Sequence, residues 1–327
     1  MKAKLLVYAL PALILVTIHL SEAQQPKKIS RIVYVTAAPL SAMEYRIEAF
    51  RQGLRELGYI EGKNVIIALR AADGKLDRLP PLMGELVREK VDIIVAAGAA
   101  VTRPAKDVTS TIPIVMAQDP DPVANGFVAS LARPGGNITG LSTFRPELSG
   151  KRLELLKEVI PKLSRVAVFG TSTTLDSTQA LRETELAAGV LKVQLQYLDV
   201  LDPKDFESAF RAAVKERADA VLWVVSGALT TQRARIVDIA ARSRLPVIYE
   251  LPSWVEAGGL MSYGVNLADL DRRAAWYVDK ILKGMRPADL PVEQPKKLEF
   301  VINLKAAKQI GVTIPPNVLA RADKVIK

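Results

Sequence analysis

Three short stretches of this chain recur in the same order at nearly one spacing. Ser30-Arg31-Ile32-Val33 answers to Ser164-Arg165-Val166-Ala167 at an offset of 134 residues. Val91-Asp92-Ile93-Ile94-Val95 answers to Ala218-Asp219-Ala220-Val221-Leu222 at an offset of 127. Ser110-Thr111-Ile112-Pro113-Ile114-Val115 answers to Ser243-Arg244-Leu245-Pro246-Val247-Ile248 at an offset of 133. Between these β-branched words lie segments with apolar residues at helical spacing. Such alternation marks parallel α/β construction, because neighbouring parallel strands need a crossover and a helix supplies it. A chain that writes this pattern twice is expected to fold as two similar lobes.

In the first half the pattern predicts strands over 31–36, 64–69, 92–97 and 113–117, with helices over 44–57, 76–89 and 100–108. Ile47, Phe50, Leu54 and Leu57 share one face of the first helix, and Gly58 stops it. In the second half strands are predicted over 165–169, 193–198, 220–225 and 246–249, with helices over 176–190 and 230–242. Another helix is expected to open with Asp202 as N-cap and Pro203 at its first position, burying Phe206, Phe210 and Val214. A turn-rich stretch, Arg133-Pro134-Gly135-Gly136-Asn137, precedes a crossing to the second lobe near 142–145. A helix over 267–282 and a strand over 298–302 remain after the second unit, so the chain is expected to recross twice. The fold class is therefore α/β: two Rossmann-like lobes, each a parallel sheet flanked by helices, joined by a three-segment hinge. The expected boundaries are 30–143 plus about 265–286 for lobe 1, and 147–262 plus about 290–327 for lobe 2.

The first 23 residues read as a signal peptide. Met1-Lys2-Ala3-Lys4 is a positive leader, and the apolar run Leu5 to Leu20 is shorter than the ~20 residues of a spanning helix. Ser21-Glu22-Ala23 then offers small residues where a signal peptidase reads, which places cleavage after Ala23. No Cys follows the run, so the expected product is a periplasmic protein without a lipid anchor. The net charge of +10 comes from Lys and Arg scattered along helix faces, many beside Glu or Asp. No run of five or six basic residues occurs, and a nucleic-acid partner is not expected.

Two absences narrow the chemistry further. The chain has no Cys, and its one His, His19, lies inside the expected signal peptide. Without either side chain, Ser-His-Asp and Cys-His catalysis, imidazole acid–base work and nearly all zinc sites are excluded from the mature protein. Neither GxGxxG nor GxxxxGK[ST] is present. No catalytic residue, cofactor or metal is assigned.

In open α/β sheets, ligands bind beyond the carboxyl ends of the strands. From lobe 1 these positions are Ala38 and Pro39, Gly98, Ala99 and Ala100, and Gln118 and Asp119. From lobe 2 they are Thr171 and Ser172, Ser226, and Glu250. The small residues Gly98 to Ala100 open a helix and let free N–H groups approach an anionic group such as a carboxylate. Asp119 and Glu250 are candidates to hold an ammonium, and Thr171 and Ser226 to hydrogen-bond. Packing at Ala99 and Ala100, turns at Asp119 and Thr171, and a surface charge at Glu250 are the competing structural readings. Tyr249 and Trp254 are candidates either to stack on a ligand or to pack in the core.

Longer stretches resemble a known family. Phe50-Arg51-Gln52-Gly53-Leu54-Arg55-Glu56-Leu57-Gly58-Tyr59-Ile60-Glu61-Gly62-Lys63-Asn64-Val65 is similar to the opening of ABC transporter substrate-binding proteins of the tryptophan/tyrosine type. So are Asp121-Pro122-Val123, the segment 129–140, Leu148-Ser149-Gly150-Lys151-Arg152-Leu153, and Gly258-Gly259-Leu260-Met261-Ser262-Tyr263-Gly264. The resemblance runs from about Arg31 to the C-terminus. It implies a type I periplasmic-binding-protein fold that closes on a solute and hands it to ABC permease subunits in the inner membrane. The chain departs from the family wording at Ala37-Ala38-Pro39-Leu40-Ser41 and at Tyr249-Glu250-Leu251-Pro252. The implied ligand is thus no narrower than a small carboxylate-bearing or aromatic, amino-acid-like molecule, bound by a monomer. A receptor feeding a membrane sensor and a secreted carboxylate-based two-lobed enzyme are the alternative readings.

Overall fold

Ile32, Val33, Tyr34 and Val35 are each no more than 1% exposed, so the first strand is covered on both faces. It is the centre of the first of two sheets in a computed structural model that describes residues 29–143, 148–173, 175–224, 232–295 and 297–327. The expected signal peptide lies outside the described residues. In chain order the first lobe runs β1 (Ser30–Thr36), α1 (Leu40–Glu56), β2 (Val65–Ala71), α2 (Leu79–Arg88), β3 (Ile93–Ala96), α3 (Ala99–Val108), β4 (Ile114–Met116) and β5 (Ile138–Gly140). The second begins with α4 (Ser149–Val159), β6 (Arg165–Gly170), α5 (Leu175–Leu191), β7 (Gln194–Asp199) and α6 (Asp205–Lys215). It continues through β8 (Ala220–Trp223), α7 (Arg233–Ser243), β9 (Val247–Tyr249), α8 (Pro252–Glu256) and β10 (Met261–Gly264). After α9 (Leu267–Leu282) come β11 (Glu299–Asn303), α10 (Leu304–Ile310), α11 (Pro316–Leu319) and β12 (Lys324–Ile326).

The strand order β2-β1-β3-β4-β5 in the first sheet is reproduced as β7-β6-β8-β9-β10 in the second, which then adds β11 and β12. The repeated words fall on the same joints of both sheets. Asp92 Oδ2 accepts the Arg31 N–H at 2.8 Å, and Asp219 Oδ2 accepts the Ser164 and Arg165 N–H groups at 2.8 and 2.9 Å. Each aspartate thereby pins the start of the central strand to its neighbour. The Pro113 carbonyl accepts the Ile94 N–H at 2.9 Å, and the Pro246 carbonyl accepts the Val221 N–H at 2.8 Å. Proline tolerates these strand starts because only its carbonyl is asked to pair.

Three sequence expectations need correction. The second sheet is not wholly parallel: β10 and β11 pair antiparallel, because β11 enters after the chain has returned from α9. The sixth helix opens at Asp205 rather than at Asp202, because the Asp205 carboxylate accepts the Leu201 and Asp202 N–H groups and closes a turn ahead of it. Val214 is 49% exposed, and Ala209 and Ala213 complete the buried stripe with Phe206 and Phe210.

Although α9 follows β10, it packs against α1 on the first lobe. A Cβ on Gly53 would lie 2.4 Å from the Arg272 carbonyl oxygen and 2.8 Å from Ala275 Cβ, so glycine sets the helix separation. Beneath this contact, Tyr34 Oη donates to Asp271 Oδ1 at 2.7 Å and Arg46 Nε donates to Oδ2 at 2.5 Å, all three residues being buried. Burial pushes the Asp271 carboxyl up while Arg46 pulls it down. Burial is the larger effect, so the carboxyl lies above its ordinary range, while the guanidinium keeps its proton. α9 thus ties β1 to α1 through one carboxylate. The other face of this sheet is covered by α2 and α3 through Leu79, Met83, Leu86, Val101 and Ala105.

Candidate functional site

In lobe 1 the candidate residues collect where β1, β3 and β4 end. The Ala38 N–H donates to Thr36 Oγ1 at 3.1 Å, and the Pro39 carbonyl accepts the Ala42 N–H at 3.0 Å. α1 therefore starts at Leu40, directly off the strand and four residues before the pattern predicts. Gly98 has φ of +113° as it turns from β3 into α3, a conformation that suits glycine alone. Its carbonyl accepts the Val101 and Thr102 N–H groups, both at 3.0 Å. Ala99 is half-buried and Ala100 exposed. A Cβ on Gly98 would stand 3.6 Å from Gln118 Nε2, so these two candidates are neighbours, and Gln118 Oε1 is buried without a hydrogen-bond partner.

Asp119 is fully buried, and its carboxylate accepts both contacts of the Asn125 Nδ2 group, at 2.9 and 3.2 Å. Its carbonyl takes the Thr143 N–H at 2.8 Å. Thr143, 1% exposed, leaves Oγ1 without a partner beside it. Sequence reasoning did not single out Thr143. The crossing expected near 142–145 includes it, but nothing in its local wording signals that its hydroxyl is buried.

Lobe 2 treats its candidates differently. The Thr171 hydroxyl donates to the Val200 carbonyl at 3.2 Å. The Ser172 N–H and hydroxyl both bond Asp199, at 2.8 and 2.5 Å. Burial would raise the Asp199 carboxyl, but these bonds hold it below its ordinary range. Both hydroxyls are thus engaged within the lobe, linking β6 to the end of β7. Ser226 lies outside the described residues. Glu250, 4% exposed, directly follows β9, and its carbonyl occupies the space that a Cβ on Gly264 would need. Tyr249 and Trp254 stack at 4.8 Å with an interplanar angle of 8°, both fully buried. Their rings are core, yet Tyr249 Oη and Trp254 Nε1 lack partners, as does Ser253 Oγ between them in sequence.

Two lobes whose strand-end segments carry buried polar atoms without partners suit enclosure of a small molecule. The family of ABC transporter substrate binding proteins matches residues 33–326. The chain belongs to this family. Among curated relatives, the tyrosine-binding protein of Clostridioides difficile strain R20291 is 27% identical over 267 residues, which cover 81% of this chain and 76% of that protein. Among solved structures, a conserved domain protein of Vibrio cholerae O1 biovar El Tor N16961 superposes with a TM-score of 0.83 at 28% identity. That match covers 91% of this chain and all of the other. A Streptococcus pneumoniae ABC domain solved with L-Trp gives a TM-score of 0.83 at 25% identity, covering 91% of this chain and 99% of that one.

The fold is accordingly that of type I periplasmic binding proteins. As a family member the chain is the extracytoplasmic solute-binding component of an ABC importer, working with permease subunits. Among the described residues, no helix is long and apolar enough to cross a membrane, and no cluster of three metal-ligating side chains occurs.

Proposed function

We propose that this family member captures an amino-acid-like solute, carboxylate-bearing or aromatic, between its lobes, and does so in the periplasm as a monomer without catalysing a reaction. The observation that carries this reading is the set of buried polar atoms without partners at the end of β9 and on the segments that follow β4, β5 and β9: Gln118 Oε1, Thr143 Oγ1, Tyr249 Oη, Ser253 Oγ and Trp254 Nε1. Polar groups cut off from water are normally hydrogen-bonded. A solute carrying both donors and acceptors would satisfy them. The relatives that bind tyrosine and tryptophan support the solute class, and a mature chain lacking His and Cys supports binding without chemistry. The segment 1–23 supports export.

The test is a thermal-shift panel of amino acids, aromatic acids and small carboxylates on the purified protein, followed by calorimetric titration. A solute that binds only the native state stabilises it by about 2.7 kcal/mol at a hundredfold excess over Kd. We expect L-tyrosine, L-tryptophan or a close analogue to raise Tm, and Glu250→Ala to weaken that solute at least tenfold without unfolding the protein. A flat response across the panel would overturn the solute class. Unchanged affinity in Glu250→Ala would remove Glu250 from the site.

A further inference from the structure

α7 opens with a cation. A helix dipole favours acidic residues at the N-terminus and basic ones at the C-terminus, so Arg233 stands at the unfavourable end. It is half-buried, and among the described residues no carboxylate pairs with it. Its helix neighbours differ: Arg235 reaches Glu207 at 3.7 Å and Arg242 reaches Asp238 at 3.0 Å. The Arg233 Nε is buried without a partner, and among the described residues the side chain makes one hydrogen bond, from Nη1 to the Ser253 carbonyl, long at 3.5 Å. The guanidinium lies 5.8 Å from the Trp254 ring centroid. Trp254 is fully buried and Ser253 nine-tenths buried, and Trp254 Nε1 and Ser253 Oγ are without hydrogen-bond partners.

The guanidinium, whose Nε has no partner, thus meets α8 at Ser253 and Trp254, whose side chains carry an unpartnered hydroxyl and indole N–H. We infer that Arg233, with the Ser253 hydroxyl and the Trp254 indole N–H, seats a carboxylate of the bound solute. This inference rests on the solute-binding reading and moves the carboxylate from the Gly98–Ala100 turn to the opposite lobe. Arg is suited to the role, since its planar fork matches a carboxylate and keeps its charge when desolvated. Tyr45 lies on α1, near enough to Arg233 and Glu256 for both charges to act on its phenol. Although 45% of its surface is exposed, crowding around the hydroxyl raises the phenol, Arg46 and Arg233 work to lower it, and Asp271 and Glu256 to raise it. The nearby Glu256 carboxylate is held by Lys324 Nζ at 2.9 Å.

The experiment compares wild type with Arg233→Gln, Arg233→Lys, Trp254→Phe and the surface control Arg235→Gln by thermal shift and titration. The probes are sodium acetate, L-tyrosine and L-tryptophan, set against tyrosinamide and tryptophanamide, with sodium chloride at equal ionic strength as the baseline. We expect the acids to raise Tm above the chloride baseline and the amides to do so far less. Arg233→Gln should weaken the acids at least tenfold, Arg233→Lys should recover part of the loss, Trp254→Phe should weaken them several-fold, and Arg235→Gln should match wild type. Acids that bind Arg233→Gln as well as wild type, amides that bind as well as acids, or carboxylates no better than chloride would each overturn the assignment. If other solutes in the panel stabilise wild type and Arg233→Gln alike, the solute-binding reading stands and the Arg233 seat falls. If acetate responds through Arg233 while every amino acid is silent, the seat stands and the amino-acid class falls.

Discussion

Asp92 and Asp219 hold corresponding joints of the two sheets. Asp219 Oδ2 accepts the Ser164 hydroxyl at 2.9 Å as well as the two backbone N–H groups. Burial alone would raise its carboxyl, but the bonds from Ser164 and Arg165 outweigh it and hold the group below its ordinary range. A carboxyl whose folded pKa lies below its unfolded one stabilises the fold above the unfolded value, near pH 4, and loses that contribution as pH falls through the folded value. We therefore expect Asp219→Ala to lower stability by about 1–2 kcal/mol at pH 7, water replacing part of what is lost at this partly exposed site. The deficit should shrink as the pH is brought below about 4. Urea midpoints at pH 7, 5 and 3 measure it, and a deficit that stays constant across that range would refute the role of the charge. These aspartates were legible in the sequence as repeated words, because equivalent strand starts need the same acceptor twice. Arg233 was not. In the sequence it is one of 45 basic residues, and its lack of an acidic partner depends on which carboxylates fold near it.

At the scale of elements, periodicity located most helices and strands, and it was most accurate where one face is buried along the whole length. α9 spans Leu267–Leu282 as its apolar spacing predicts, with the Asn266 side chain accepting the Ala268 N–H at its start and Gly284 beyond its end at φ of +94°. α6 shows where the method fails: Val214 fits the stripe by type, but the alanines at 209 and 213 lie closer to the sheet. Periodicity also does not say which lobe an element joins, and the Gly53 contact between α1 and α9 supplies that information. Gly53→Ala sets two effects against each other. Helix propensity favours alanine by about 1 kcal/mol. The new methyl would meet the Arg272 carbonyl oxygen at 2.4 Å, which is backbone and cannot swing aside, and overpacking of this kind costs typically 1–3 kcal/mol. We expect the clash to win and Gly53→Ala to lower the urea midpoint. A midpoint equal to or above wild type would show that the two helices separate freely, and with it that α9 is loosely attached to the first lobe.

At the scale of the whole molecule, the working motion of a two-lobed receptor depends on how its crossings are fastened. The crossing after β5 and the one before β11 are stitched to each other: the Glu293 N–H donates to the Gly140 carbonyl at 3.0 Å, and the Ser142 N–H to the Glu293 carbonyl at 2.9 Å. Both are also fastened to lobe 1. Thr139 Oγ1 donates to the Leu290 carbonyl at 2.6 Å, Tyr277 Oη to the Pro291 carbonyl at 2.7 Å, and Arg273 grips the Glu293 carboxylate with Nε and Nη2 at 2.9 and 2.5 Å. No comparable set binds this strap to lobe 2 among the described residues. Rotation is thus expected at the lobe 2 ends of the crossings, with the strap moving as part of lobe 1. Glu293→Gln keeps the backbone pairing and removes the charge that Arg273 holds, so it should loosen the strap while lowering global stability by no more than about 1 kcal/mol, as for other partly exposed ion pairs. Because the chain has no Cys, spin labels can be placed cleanly at Asp107→Cys on α3 and Glu185→Cys on α5, one on each lobe. We expect the distance distribution between them to broaden in Glu293→Gln and to narrow again when solute is added, since a bound solute selects the closed arrangement. A distribution identical to that of the parent pair would mean that the pivot is not limited by this strap, and would shift the search for it to the Arg152 side, where Nε donates to the Tyr263 carbonyl at 2.8 Å and ties α4 to the end of β10.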